Sequence, residues 1–405
     1  MMQARENEIK RKMELGVKGK QSIQINDLQV FLTNRCNLHC EMCGARFPEY
    51  ENKTYDNEKP FDMTLSEYKK LVDRTVPFGL KFLNKFKKKY DDPQTILFSS
   101  AESMLNKDFY NIVIYTKKVY PNSNVRVISN GTIPLKNGQE DLVDNLYQIA
   151  FSVDGCTKET FEKIRTPAKY ELVINNIKEY VEAKKKRNSK MRIVLAVTLS
   201  TRNAAELPGI VELANDIGGI ESLWVQPMLV FDNKTKHLEQ YLFSRMDKEQ
   251  LGKYVNEAQK LSDKYNIQLD IMESIKEYAA KPDNNQADEE HLENESFDTQ
   301  IKDDFQNKTS YCHMLCNGNV YVNQDASFRI VCCYLSSEGN SKLINEYKLN
   351  ESTGSIVQRY NSEKYWQLRN DFWDGKWKNL CGDCAVGHSS YIEFKNGKDI
   401  FDFNI

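Results

Sequence analysis

The 405-residue sequence contains no run of 18 apolar residues, and no apolar segment near its first residue. The first absence excludes a membrane-spanning helix, which needs about 20 apolar residues, and the second removes the hydrophobic stretch of a secretory signal. Net charge is also nearly absent, because 56 basic and 58 acidic residues leave a formal charge of −2. We therefore expect a cytoplasmic protein with no membrane partner and no nucleic-acid partner.

Cysteine is the residue type whose distribution is most informative. The chain has ten cysteines, in groups at 36–43, 312–333 and 381–384, with Cys156 alone. Without a secretory signal, this content indicates a reducing compartment. Such grouping is typical of metal ligation, whereas the cysteines of disulfide frameworks are usually spread more evenly.

Short apolar runs alternate with helix-like segments through the first two thirds of the chain. The strand-like runs are 28–33, 95–99, 124–129, 149–153, 192–199 and 222–229. The helix-like segments lie near 65–90, 107–119, 139–147, 157–186, 204–217 and 247–265. Six strand–helix repeats predict an α/β fold built as a partial (β/α)6 TIM-like barrel, two repeats short of closure.

Composition divides the chain into four predicted segments. Residues 1–22 form a polar N-terminal extension, and residues 23–280 carry the partial barrel. Residues 281–310 are acidic with few apolar side chains, which indicates a linker. Residues 311–405 contain six cysteines but little apolar material, so we expect a small α+β domain that a bound metal group stabilises.

Cys36, Cys40 and Cys43 form a C-x-x-x-C-x-x-C pattern directly after the first predicted strand. In a parallel barrel, loops that follow strands gather at the carboxyl rim, where active sites lie. Three thiolates leave one iron of a four-iron cluster without a protein ligand, since such a cluster usually takes four cysteines. A zinc site lacking one ligand is the alternative, although zinc sites usually show paired C-x-x-C motifs.

Small polar motifs follow the later strands in a fixed order. They are Ser100-Ala101-Glu102, Ser129-Asn130-Gly131-Thr132 and Ser152-Val153-Asp154-Gly155, followed by Arg165 and by Leu199 at the end of the fifth strand. With the cysteine triplet, this order resembles the radical SAM enzymes over residues 27–390. Two departures are the lost glycines of the family's Gly-Gly-Glu-Pro motif and Met42, where the family usually has an aromatic residue.

The resemblance implies that Cys36, Cys40 and Cys43 hold a [4Fe–4S] cluster whose open iron binds S-adenosylmethionine (SAM). Glu102 would accept a hydrogen bond from the ammonium group of SAM. Ser152 and Arg165 would hold its carboxylate. The full set of implied cofactor-binding residues is Met42, Ala101, Glu102, Asn130, Ser152, Arg165 and Leu199.

The later cysteines resemble the SPASM or shorter Twitch extension of these enzymes, which carries auxiliary [4Fe–4S] clusters. The resemblance implies one auxiliary cluster, held by Cys312, Cys332, Cys381 and Cys384. Cys316 and Cys333 are the alternatives to the first two of these ligands. A zinc site with four thiolates remains a second interpretation of the same set.

The implied activity is reductive cleavage of SAM to a 5′-deoxyadenosyl radical, which abstracts a hydrogen atom from a substrate. We expect oxidation, dehydrogenation or bond formation on a peptide or a small sugar- or cyclitol-like metabolite, with flavodoxin or ferredoxin as reductant. One alternative is a peptide epimerase, in which a cysteine such as Cys156 returns a hydrogen atom. The other is a non-catalytic iron–sulfur or zinc protein, favoured by Met42 and the degenerate Ser-Ala-Glu motif.

Overall fold

The computed structural model describes residues 27–43, 60–73, 95–99, 101–230, 236–280, 319–322, 328–329, 363–365 and 367–368. The predicted extension at 1–22, the acidic linker at 281–310 and all cysteines from 312 to 384 lie outside these residues. The four segment boundaries therefore stay predictions. One compact unit combines Val30–Leu65 with Thr95–Asp283 and contains the sheet that carries the candidate site.

Strands and helices alternate along the described chain. The strands are β1 Asp27–Val30, β2 Thr95–Phe98, β3 Asn124–Ser129, β4 Gln148–Ser152, β5 Arg192–Leu199, β6 Ser222–Pro227 and β7 Gln268–Ile271. The helices are α1 Leu65–Asp73, α2 Phe109–Val119, α3 Leu142–Asn145, α4 Lys158–Ile164, α5 Tyr170–Arg187, α6 Leu207–Ile217, α7 Lys248–Tyr265 and α8 Glu273–Ala280.

Strands β2 to β7 form a parallel sheet in which each strand pairs with the next one along the chain. Parallel neighbours require crossover connections, which the intervening helices supply. The prediction of an α/β fold with the open sheet of a partial barrel is confirmed. Strand β7 and α8 were not predicted, because the four residues of β7 contain only two apolar side chains.

Burial along the strands follows from coverage of the sheet. Every residue of β4 is buried, as expected for a central strand covered on both faces. Helix α5 packs against this strand, where the rings of Phe151 and Tyr180 meet edge to face with their centroids 5.3 Å apart. The carboxyl ends of the parallel strands therefore project from a rigid core.

The predicted helix at 157–186 is divided in two. Helix α4 ends at Ile164, Arg165 is its C-terminal cap, and α5 begins only at Tyr170. The break has a sequence cause in Pro167, which lacks an N–H and disfavours helical backbone at the residue before it. As a result Arg165 stands at the end of a short helix rather than in the middle of a long one.

Strands β8 Asn319–Val322 and β9 Phe328–Arg329 belong to the second compact unit. They pair antiparallel, with Tyr321 opposite Arg329 and Val322 opposite Phe328. Both lie within residues 311–405, for which the sequence predicts a small α+β domain.

Candidate functional site

The cysteine loop, residues 36–43, is docked onto the C-terminal end of α4 by main-chain hydrogen bonds. The N–H of His39 donates to the carbonyl of Thr166 at 2.6 Å, and that of Glu41 to the carbonyl of Ile164 at 3.0 Å. Carbonyls at the end of a helix lack partners within the helix, so they are available to bind a neighbouring loop. The residues Cys36, Cys40 and Cys43 are partly exposed and form no disulfide.

Arg165 brings positive charge to these thiols. Its Nη1 lies 3.8 Å from the Sγ of Cys40. Burial raises the pKa of the Cys40 thiol to about 12, opposed by Arg165 and reinforced by Cys43 and Cys36. The three sulfurs therefore share one electrostatic neighbourhood, in which a cation favours the thiolate form that binds metal.

A buried ion pair fixes Arg165. Its Nε donates to Oδ2 of Asp154 at 2.5 Å, and the side chains are 11% and 0% exposed. Burial acts to lower the pKa of the guanidinium, but Asp154 and Cys40 outweigh it and the pKa is raised. The other carboxylate oxygen, Oδ1, accepts the N–H of Thr198 at 2.6 Å. Asp154 thus joins α4 to β5, a role that the sequence analysis did not predict.

Glu102 is buried completely and joins the ends of β2 and β3. Its Oε1 accepts the N–H of Met104 at 3.2 Å and the hydroxyl of Ser129 at 3.1 Å. Its Oε2 accepts the N–H of Asn130 at 2.6 Å. Its own N–H donates to the carbonyl of Arg35, beside the cysteine loop, at 2.9 Å. The predicted contact with an ammonium group stays a prediction, beside this structural role.

We expect Glu102 to make folding stability depend on pH. Burial raises the pKa of its carboxyl from 4.5 to about 7, against the opposing hydrogen bonds from Asn130, Met104 and Ser129. The folded state therefore holds this proton more tightly than the unfolded state, so the contribution of Glu102 to stability should be greatest below pH 4.5 and fall as the pH rises to 7. The expected loss is up to about 3 kcal/mol.

Urea unfolding of the wild type and of Glu102→Gln, at pH values from 4.5 to 8, measures this effect. The variant should lack this fall, and Glu182→Gln, which changes a glutamate that is 72% exposed, should retain it. Equal pH slopes for the wild type and Glu102→Gln would contradict the assignment.

Asn130 ties the end of β3 to the cysteine loop. Its Nδ2 donates to Oδ1 of Asn37 at 2.9 Å and lies 3.8 Å from the Sγ of Cys36. Asn37 in turn donates to the hydroxyl of Thr132 at 2.8 Å. The sequence motif Asn130-Gly131-Thr132 is thus a loop anchor as well as a turn.

The other predicted cofactor residues lie at strand ends or in the cysteine loop. Ala101 has a φ of 47°, a left-handed conformation that costs energy for any residue with a Cβ. This strain explains why the related motif carries glycine there. Ser152 ends β4 and is 9% exposed, Leu199 ends β5 and is fully buried, and Met42 is partly exposed in its loop.

Cys156 packs against α6. A Cβ added to Gly209, in the first turn of that helix, would lie 2.6 Å from the Cys156 Sγ. Burial, followed by the nearby Glu206, raises the pKa of this thiol to about 12. Its backbone N–H also donates to Glu206 at 2.7 Å. The role of Cys156 as a hydrogen-atom donor stays a prediction. The described contacts of its thiol are with α6.

This contact gives a paired prediction. Gly209→Ala should destabilise the fold by about 1 kcal/mol, because the new methyl group overlaps the sulfur of the partly exposed Cys156 and the thiol must rotate away. Adding Cys156→Ala should recover most of the loss by removing the sulfur. Thermal unfolding of the two single variants and the double variant measures the coupling. An additive loss in the double variant would show that the thiol points elsewhere.

The donor set fits an iron–sulfur cluster. Among the described residues, no three His, Cys, Asp or Glu side chains lie close enough to hold a single metal ion. A four-iron cluster places its cysteines on different irons, so its thiolates need not converge on one point. Three thiols in one electrostatic neighbourhood, with a buried arginine beside one of them, match that requirement.

Within the same described residues, no helix is long and apolar enough to cross a membrane.

Comparisons with known sequences agree with this geometry. Residues 30–214 match the sequence model of the Radical SAM superfamily. A probable GTP 3′,8-cyclase of Methanocaldococcus jannaschii is 27% identical over 207 residues, covering 50% of this chain and 60% of that protein. The sporulation killing factor maturation protein SkfB of Bacillus subtilis is 25% identical over 190 residues, covering 46% of this chain and 39% of that protein. The chain thus spans three fifths or less of these relatives.

Solved structures share the fold at low sequence identity. Streptococcus suis SuiB bound to precursor peptide SuiA aligns with a TM-score of 0.55 at 11% identity, covering 89% of this chain and 70% of SuiB. Native anSMEcpe with bound AdoMet aligns with a TM-score of 0.51 at 15% identity, covering 92% of this chain and 96% of that protein. At these identities the likeness concerns the fold alone.

Proposed function

We propose, from the premise that residues 30–214 of this chain belong to the radical SAM superfamily, that the chain is an enzyme that cleaves SAM reductively. The observation that carries the proposal is the approach of Arg165 Nη1 to Cys40 Sγ at 3.8 Å. It brings a buried cation to the cysteine triplet. When bound, the cluster and SAM would supply a 5′-deoxyadenosyl radical that takes a hydrogen atom from the substrate.

The chain's own residues would hold and orient the cofactors. Cys36, Cys40 and Cys43 would ligate the cluster through their thiolates. Arg165, whose side chain is 11% exposed, would place its guanidinium against the carboxylate of SAM, with Ser152 beside it. The ion pair with Asp154 would keep that guanidinium in place before the ligand arrives, which lowers the ordering cost of binding.

The adenosine part would lie along the ends of the later strands. Leu199 at the end of β5 and Met42 in the cysteine loop would contact adenine through apolar atoms, the latter with a thioether in place of an aromatic ring. Ala101 would let the backbone approach the ligand, and Glu102 would accept from its ammonium group. Asn130, bonded to Asn37, would keep the cysteine loop at the end of β3.

The reaction we favour is two-electron oxidation, dehydrogenation or bond formation on a peptide or a small sugar- or cyclitol-like metabolite. A complete auxiliary [4Fe–4S] ligand set of Cys312, Cys332, Cys381 and Cys384 would accept the second electron, in a SPASM or Twitch domain at 311–405. The name of SkfB, a killing factor maturation protein, supports a peptide substrate. Flavodoxin or ferredoxin would supply the first electron, in a reducing cytoplasmic compartment.

Two other activities are alternatives to oxidation. An epimerase would need a cysteine that returns a hydrogen atom. Cys156 is less suited to this, because its thiol packs against Gly209 of α6. The kinship with GTP 3′,8-cyclases favours a nucleotide cyclisation as the other possibility, on the 27% identity with one of them.

Anaerobic reconstitution, reduction with dithionite and incubation with SAM test the activity. Formation of 5′-deoxyadenosine, followed by mass spectrometry, is the expected result. A reconstituted protein with a four-iron cluster that never forms it would instead support the non-catalytic metal-binding alternative. In deuterated water, a product two hydrogens lighter than the substrate supports oxidation. A product with one deuterium at an inverted carbon supports epimerisation.

A further inference from the structure

A second ion pair reaches the cysteine loop from the loop after β5. The Nη2 of Arg202 lies 2.8 Å from Oε1 of Glu41, and the two side chains are 22% and 30% exposed. Glu41 stands between Cys40 and Cys43, so any force on its side chain acts on the ligand-bearing loop. Its backbone is held as well, through the bond from its N–H to the carbonyl of Ile164.

The guanidinium of Arg202 also lies over the face of an aromatic ring. Its central carbon is 3.8 Å from the ring centroid of Tyr241. The backbone reinforces this contact, since the N–H of Thr201 donates to the carbonyl of Tyr241 at 2.9 Å. A planar cation that both stacks on a ring and pairs with a carboxylate has little freedom to move. Arg202 therefore connects two loops at fixed spacing.

The loop that carries Arg202 is itself rigid at its base. Asn203 is fully buried, and its Oδ1 accepts the N–H of Ser200 at 2.8 Å. Its Nδ2 donates to the carbonyls of Asp154 and Thr198, both at 3.0 Å. The same Asp154 holds Arg165 against Cys40, so the loop after β5 is linked to the cysteine loop by two separate routes.

We propose that Arg202 and Glu41 are positioning residues, which set the distance between the cysteine loop and the end of β5 and thereby the affinity for SAM. The inference rests on the proposed function, in which the thiolates of the loop hold one end of the ligand site and Leu199 meets its adenine. Without the ion pair, the loop would still carry its three thiols, but its distance from the end of β5 would no longer be set.

A purely structural role makes a different prediction. Ion pairs with this degree of exposure contribute little to folding stability, because solvent screens them. A structural pair would therefore shift the unfolding temperature slightly and leave the affinity for SAM unchanged. Loss of a positioning pair should instead lower the affinity for SAM and leave the unfolding temperature nearly unchanged.

The experiment compares reconstituted wild type with Arg202→Met, Arg202→Lys, Glu41→Gln and the double variant Arg202→Met/Glu41→Gln. Iron content and unfolding temperature check the cluster and the fold. SAM dissociation constants and the electron paramagnetic resonance (EPR) spectrum of the reduced cluster, with and without SAM, report the site. Arg187→Gln is the matched control, because Arg187 pairs with Asp144 at 2.6 Å at a comparable exposure but on another part of the surface.

We expect Arg202→Met and Glu41→Gln each to weaken SAM binding about tenfold, and the double variant to be no weaker than either single one. Arg202→Lys should fall between these and the wild type, since lysine keeps the charge but lacks the planar guanidinium that contacts the ring of Tyr241. Iron content should be unchanged. If the wild type binds SAM and these variants bind it equally well, the inference is wrong and the proposed function stands. If the wild type binds no SAM, both are wrong.

Discussion

Replacing Cys36, Cys40 and Cys43 together by alanine should lower the iron content of the reconstituted protein from about eight to about four atoms per chain. It should also abolish the formation of 5′-deoxyadenosine. The physical reason is that the three thiolates are the ligands that would hold the SAM-binding cluster, while the proposed auxiliary cluster would depend on other cysteines. Iron determination and EPR spectroscopy after anaerobic reconstitution measure both effects.

Cys156→Ala is the control for this prediction, since its thiol packs against α6 and should contribute no iron ligand. That variant should keep about eight irons. Two outcomes would contradict the assignments. A triple variant that keeps its full iron content would remove the first cluster from the loop. Stoichiometric zinc in a wild-type protein with about four irons would show that the later cysteines hold zinc rather than an auxiliary cluster.

Arg165→Gln should weaken SAM binding by on the order of 2–5 kcal/mol, because it removes one partner of a charged ligand group in a desolvated site. The same change leaves the carboxylate of Asp154 buried without its ion-pair partner, which should destabilise the fold by about 3–5 kcal/mol. Asp154 is fully buried and Arg165 is 11% exposed, so solvent screens the pair weakly. Calorimetric titration with SAM and urea unfolding measure the two effects separately.

Asp154→Asn and the double variant Asp154→Asn/Arg165→Gln complete a thermodynamic cycle. The double variant should be more stable than the sum of the single losses predicts, since neither charge is then left unpaired. Its affinity for SAM should remain low. An Arg165→Gln protein with unchanged SAM affinity would show that the arginine serves only the ion pair.

The repeating strands could be predicted because each is a compact apolar run bounded by polar turns. Burial of all five residues of β4 is the clearest case. Strand β7 was missed, since its two apolar side chains among four residues fall below what periodicity can distinguish from a loop. The division of helix 157–186 was missed for another reason. Its apolar spacing continues through the break, and the signal that mattered was the single residue Pro167.

The identities of the site residues were proposed from the sequence and stay predictions, whereas the contacts among them could not be foreseen. The order of the motifs pointed to Cys36, Cys40 and Cys43 after the first strand, and to Arg165 in the segment that follows Ser152 at the end of the fourth. No pattern in the chain indicates that Asp154 faces Arg165, since that pairing depends on where α4 ends. Nor does any pattern show Arg202 reaching Glu41, two residues that lie 161 positions apart in the chain.

The docking of the cysteine loop onto α4 has a consequence for how this sequence can change over evolutionary time. The two bonds from His39 and Glu41 to Thr166 and Ile164 join main-chain atoms only. Substitution of the side chains at these four positions leaves the donors and acceptors in place, provided that no proline is introduced at either donor. The position of the loop therefore depends on main-chain atoms at the end of a helix rather than on particular side chains. Sequence drift at His39 and Thr166 can therefore leave the thiols in place, whereas Glu41 is constrained by its ion pair with Arg202 and Ile164 by its burial.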